Sequence, residues 1–171
     1  MYREVLRRMP CIEGIQIRNR LQPGDVGSIV YLHGHLYGKE YGFDCTFEPY
    51  VAKPLSDFVL RSGDREKIWV VEKSGRVLGS IAVVEHTKIA AQLRWLILDP
   101  EVRGRGLGRT IVEKAVSYCR ECGYSKVFLW TLSFLGRARK IYESLGFSLA
   151  EEKTHRMWGT ALTEQRYDLT L

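Results

Sequence analysis

Apolar and polar residues alternate from 12 to 21, IEGIQIRNRL, which predicts a β-strand. The segment 23–42, PGDVGSIVYLHGHLYGKEYG, opens on turn residues and continues with mixed apolar positions, the pattern of a helix made irregular near its glycines. Over 46–61, Phe47, Val51, Leu55, Phe58 and Val59 fall on one side of a helix; Pro49 suits its first turn and Pro54 is placed to kink it. Residues 67–86, KIWVVEKSGRVLGSIAVVEH, read as strand, Ser74-Gly75 turn, strand. AQLRWLILD, 91–99, is apolar except for Gln92, Arg94 and its last residue, so it belongs in the middle of a sheet.

Next comes RGRGLG, 103–108, and then a second amphipathic helix in which Leu107, Ile111, Ala115, Tyr118, Cys119 and Cys122 share one face. Gly123 stands where it would cap that helix. SKVFLWTL, 125–132, is a strand. LGRARKIYESLGF, 135–147, sets Ala138, Ile141, Tyr142 and Leu145 at helical spacing, with Gly146 as the stop. FSLAEEKTH and EQRYDLTL close the chain as two strands. The order is β-α-α-β-β-β-α-β-α-β-β, with no repeat or linker, which predicts one α/β (α+β) domain over residues 1–171.

Composition narrows the function classes. No stretch nears the run of about 20 apolar residues that a membrane span needs. The first residues lack the apolar region of a secretory signal, so a cytoplasmic location is expected and no membrane partner. A net charge of +6 suits an anionic ligand, but the arginines cluster at one loop rather than along a stripe, so no nucleic-acid partner is expected. Cys119 and Cys122 form a C-x-x-C, yet Cys11 and Cys45 lie far apart in sequence and no histidine stands at finger spacing. The pair falls near a helix end, where the dipole disfavours thiolate, so reduced structural cysteines are expected. His33 and His35, in HGH, lack a carboxylate or cysteine at fitting spacing, and no metal is expected.

RGRGLG carries the chemistry. A Walker A loop would need its first glycine at Arg103 and a lysine at Arg109; a dinucleotide fingerprint would need its third glycine at Arg109. What remains, R-G-x-G-x-G between a strand and a helix, is still an anion site. Free N–H groups of the helix N-terminus and its dipole face a ligand, and glycines let the backbone approach a pyrophosphate. Arg103, Arg105 and Arg109 add positive charge.

This loop in its strand–loop–helix setting, together with IYESLGF downstream, resembles the GNAT superfamily of N-acetyltransferases, over most of the chain from Gly14 to Leu171. The tail EEKTHRMWGTALTEQRYDLTL is most similar to the acetyltransferase half of bacterial proteins that fuse a MarR-type DNA-binding domain to a GNAT domain, which makes this chain a stand-alone relative or a fragment. The resemblance implies a mixed, mostly antiparallel sheet flanked by about four helices. It implies acetyl-CoA as co-substrate, with the pyrophosphate on the amides of Arg103, Gly104, Arg105, Gly106, Leu107, Gly108 and Arg109. It further implies that the backbone of Leu96, Ile97 and Leu98 pairs with the pantetheine arm, that an N–H near Leu98 meets the oxyanion, and that Tyr142 protonates the departing thiolate. The acceptor would be the primary amine of a small molecule or peptide, and the protein a monomer or homodimer.

The general base is open between Glu85, Glu40, Glu48, His33 and a water chain, and Trp130 is a candidate wall of the acceptor pocket. Two positions depart from the family. Leu135 stands where many relatives carry asparagine, seven residues before the tyrosine, and Leu132 where a polar residue often follows Trp-Thr. A second reading, a ligand-sensing domain that binds acyl-CoA without turnover, remains beside the enzyme.

Overall fold

The computed structural model describes residues 13–171. Seven strands form one sheet: β1 (Ile15–Arg18), β2 (Lys67–Lys73), β3 (Arg76–Thr87), β4 (Ala90–Leu98), β5 (Lys126–Leu132), β6 (Ser148–Met157) and β7 (Thr160–Thr170). Their spatial order is β1-β2-β3-β4-β5-β7-β6. Every pairing is antiparallel except β4 with β5. Four helices flank the sheet: α1 (Asp25–Tyr41), α2 (Phe47–Arg61), α3 (Leu107–Glu121) and α4 (Gly136–Ser144). The element order read from the sequence is the observed one. The first strand begins at Ile15 rather than at 12; residue 12 itself lies outside the described residues, as does Cys11.

Each face of the sheet carries its own core. Ile111, Val112, Ala115 and Cys119 of α3 and Tyr142 of α4 pack on one face with Leu78, Val83 and Leu93. Ile29, Leu32 and Leu36 of α1 and Val51, Leu55 and Phe58 of α2 pack on the other with Val70, Ala82 and Trp95. Phe47, Val51, Leu55 and Phe58 of α2 and Leu107, Ile111, Ala115 and Cys119 of α3 are buried as their helical spacing predicted, whereas Val59, placed on the same face of α2, is exposed. α1, expected to be irregular, runs unbroken for 17 residues. Its Gly34 lies where the helices meet: the Glu48 side chain occupies the space a Cβ would need. The glycine serves close packing instead of breaking the helix.

Gly123, at φ +74, ends α3 as expected. The Tyr124 N–H donates to the Cys119 carbonyl and the Gly123 N–H to that of Arg120, closing the last turn with a left-handed cap. Cys119 is fully buried there, and burial pushes its thiol up to about 12. A thiol that keeps its proton neither binds metal nor exchanges disulfides readily. Combined replacement of Cys119 by Ala and Cys122 by Ser should therefore leave acetyl transfer nearly intact, at a stability cost of about 1 kcal/mol for the small buried vacancy. Stoichiometric zinc in the purified protein, lost in this variant, would contradict that expectation.

Candidate active site

β4 leaves the sheet's regular pattern halfway along. Its parallel pairing with β5 runs only from Ala90↔Lys126 to Leu93↔Leu129. Beyond that point β5 continues beside β7 while β4 keeps β3 alone. On the β3 side the register moves from Ala82↔Arg94 to Ser80↔Ile97, so two steps on β3 match three on β4. This β-bulge centres on Trp95, whose φ is +51. A left-handed conformation at a bulky residue costs on the order of 1–3 kcal/mol and persists only where its surroundings fix it. Here the fully buried Ser80 hydroxyl donates to the Trp95 carbonyl at 2.7 Å, and the Trp95 ring packs edge-on against Phe58, 5.5 Å between centroids. Gly79 lets the strands approach: a Cβ there would lie 2.5 Å from the Ile97 carbonyl oxygen.

The divergence of β4 from β5 opens a cavity of about 770 Å³, within the range of small-ligand and cofactor sites. At one end it meets the glycine loop. Leu98 leads through Asp99 into a short 3₁₀ turn, Pro100–Val102, capped by the Asp99 carboxylate, which accepts from the Glu101 N–H at 2.9 Å. Gly104 and Gly106 then take φ +75 and +78, and Gly106 is the N-cap of α3. Apart from the adjoining residues, no heavy atom lies within 4 Å of where a Cβ would stand on either glycine, so the backbone here faces open space. Gly108 is packed differently, with Ile141 Cδ1 3.2 Å and Leu98 Cδ1 3.5 Å from such a Cβ.

The arginines divide their work. Arg103 donates through Nε to the Leu98 carbonyl at 2.7 Å and through Nη1 to Glu40 at 2.9 Å, which ties the loop to β4 and α1. That hydrogen bond holds the Glu40 carboxyl below its usual range. Arg109 donates to Glu113 at 2.8 Å and to the Ser144 hydroxyl at 2.7 Å, joining α3 to α4. Both line the cavity, and both already have partners. Arg105 is exposed. The Leu98 carbonyl is likewise engaged, by the Arg103 guanidinium.

Tyr142 lines the cavity from α4 and is buried, its ring 6.0 Å from Phe147 and 6.2 Å from Tyr167. Burial pushes its phenol pKa well up, and no described residue hydrogen-bonds its hydroxyl. Leu135, the N-cap of α4, and Leu132 line the wall beside it, and no side chain caps the helix.

The candidate bases differ in their place relative to the cavity. Glu85 does not line the cavity; it lies near the other end of β3, 3.0 Å from Arg65 and accepting from the Tyr124 hydroxyl at 3.2 Å. Glu48 is exposed and also outside it. Glu40 lines the cavity but is bound to Arg103. His33 lines it as well, buried, with Nδ1 2.8 Å from the Ile29 carbonyl. Burial lowers its pKa to about 4, so the imidazole is neutral near pH 7 and a weak base. Trp130 lines the cavity with the Lys153 ammonium 4.8 Å from its ring centroid.

Arg94, Glu164 and Trp158 are among the wall residues that the sequence did not single out. Trp158 occupies the β6–β7 turn at φ +51 and packs on Phe43, Phe47 and Tyr50. Among the described residues no group of three or more His, Cys, Asp or Glu side chains gathers as metal ligands would, and no helix is long and apolar enough to cross a membrane.

Comparison with known proteins agrees with this geometry. Residues 34–147 match the profile of the acetyltransferase (GNAT) family. An uncharacterized N-acetyltransferase of Escherichia coli, YjgM, is 32% identical over 113 residues, 63% of this chain and 68% of its own length. An uncharacterized N-acetyltransferase of Schizosaccharomyces pombe is 32% identical over 122 residues, 70% of this chain and 74% of its own. The fold is shared with yncA, a putative acetyltransferase of Salmonella typhimurium solved with acetyl-CoA, at a TM-score of 0.74 and 18% identity, over 92% of this chain and 94% of that one.

Proposed function

The chain belongs to the acetyltransferase (GNAT) family and is an acetyl-CoA-dependent acetyltransferase, and from that premise we propose that the cavity between β4 and β5 transfers the acetyl group directly to a primary amine. The observation that carries this reading is the continuity of three features. A glycine loop at a helix N-terminus, an unpaired strand edge and a buried protonated phenol follow one another along one cavity.

Each feature has its task. The amides of residues 103–109 and the α3 dipole hold the pyrophosphate. The edge of β4 at Leu96–Leu98 pairs with the pantetheine amides as a further strand would, and its N–H groups stabilise charge on the carbonyl oxygen. As the amine nitrogen bonds to the acetyl carbon, the carbon–sulfur bond breaks and Tyr142 gives its proton to the departing sulfur. The phenolate regains a proton from solvent. The proton lost by the amine passes to water in the cavity, because His33 at about 4 is too weakly basic to hold it. Trp130 forms part of the acceptor wall. Within the family, the tail 151–171 favours kinship with the acetyltransferase halves of bacterial MarR-GNAT fusions.

The test is release of free CoA thiol from acetyl-CoA by the purified protein over a panel of primary amines. Release that depends on an amine, with acetylated product found by mass spectrometry, is the expected result. Tight acetyl-CoA binding without release for any amine would favour a ligand-sensing domain.

A further inference from the structure

The bulge turns Arg94 and Trp95 to the same side of β4, toward α1 and α2. The Arg94 guanidinium lies 5.0 Å from the Trp95 ring centroid, half-buried on the cavity wall. Burial lowers its pKa, and only the Tyr50 phenol offsets this. No described carboxylate forms an ion pair with it. The two carboxylates that line the cavity lie elsewhere: Glu40 is 2.9 Å from Arg103, and Glu164 of β7 is 3.1 Å from His155 Nε2, its side chain 17% exposed. Tyr50 stands in the field of Arg94 and Glu164; besides burial, Glu164 pushes its pKa up and Arg94 draws it down. The cavity thus presents a cation and an anion that do not neutralise each other. Aromatic rings form the wall around them, with Trp158 4.8 Å from both Tyr50 and Phe47.

A guanidinium withdrawn from water without a counter-ion is costly, and its planar fork matches a carboxylate. We propose that the acceptor is an amine that also carries a carboxylate, an amino-acid-type acceptor, whose carboxylate Arg94 receives while Glu164 faces the amino group. This rests on the acetyl-transfer reading and narrows it. A polyamine, cationic at every nitrogen, would meet Arg94 as a like charge.

The experiment compares the common L-amino acids with their decarboxylated amines and with spermidine. The wild type and Arg94→Gln are assayed for CoA release and for binding by tryptophan fluorescence. The wild type should favour at least one amino acid over its amine by about tenfold or more in kcat/KM, the worth of one charge-assisted contact. In Arg94→Gln the KM for that amino acid should rise by a similar factor, while the KM for the matched amine and for acetyl-CoA stays put, and Arg94→Lys should recover part of the loss. Equal or better use of the decarboxylated amines or spermidine by the wild type would overturn the proposal. So would a loss in Arg94→Gln that falls alike on acid and amine. Should Arg94→Gln fail to fold, the wild-type ratios and competition by an amine-free carboxylate such as 3-phenylpropanoate still decide. Binding that prefers amino acids without any CoA release would keep the carboxylate site and overturn acetyl transfer.

Discussion

Replacing Tyr142 by phenylalanine is expected to lower kcat by roughly 10²–10⁴-fold, the usual worth of a positioned proton donor, and to leave acetyl-CoA affinity unchanged. The ring is held between Phe147 and Tyr167 in the core under α3 and α4, and phenylalanine keeps it. Burial keeps the phenol protonated at neutral pH, the form an acid needs. No described residue hydrogen-bonds the hydroxyl, so its removal orphans no buried partner and should hardly change the melting temperature. A fall in turnover would then report chemistry and not collapse. The measurement is steady-state turnover with a confirmed acceptor beside calorimetry with acetyl-CoA. A kcat within about threefold of wild type, far under a proton donor's range, would leave Tyr142 as packing.

Gly106→Val should weaken acetyl-CoA binding by about 100-fold, equivalent to about 2.7 kcal/mol at the loop. Two causes act together. The backbone at φ +78 is one that L residues adopt at a cost of about 1–2 kcal/mol, more for a β-branched side chain. The added methyls would also stand in the open space over the α3 N-terminus, where no atom beyond the adjoining residues lies within 4 Å and where the phosphates are proposed to sit. That same openness means the fold accepts the volume, so only the backbone cost, about 2–3 kcal/mol for valine, should lower the melting temperature, by roughly 5–12 °C for a chain of this size. Gly106→Ala, which has the backbone cost and little of the bulk, should fall between. Unchanged affinity in the valine variant would move the pyrophosphate elsewhere.

The elements were legible because their signals are local. Helical spacing from Leu107 to Cys119 and the Ser74-Gly75 turn each fix an element without reference to the rest of the chain. The glycine loop was legible for the same reason, since Gly104 and Gly106 serve conformations that few other residues accept. The bulge was not. In AQLRWLILD the apolar run from Trp95 to Leu98 offers no alternation whose change of phase would betray it, and a tryptophan at positive φ has no sequence signature. Arg94 was the one clue, a charge inside a strand read as central. That Glu85 stands away from the cavity was not legible, because a strand's sequence shows where it ends but not toward which end of the sheet a cavity opens. Glu164 looked like any polar residue on a closing strand, and its place on the cavity wall follows only from β7 lying beside β5.

The bulge also gives β4 two reading frames. Before it, the odd-numbered Ala91 and Leu93 face the core under α3 and α4; after it, the odd-numbered Trp95 and Ile97 face the core under α1 and α2. Parity reverses at a single residue. A one-residue deletion anywhere between Arg94 and Leu98 would bring the strand back into phase with β3 and turn the remaining side chains inside out. Grafting this strand into a relative therefore demands a junction chosen by phase, whereas its surface loops tolerate changes of length. The length of this strand is constrained to the single residue, for reasons that belong to the opening beside it more than to the sheet.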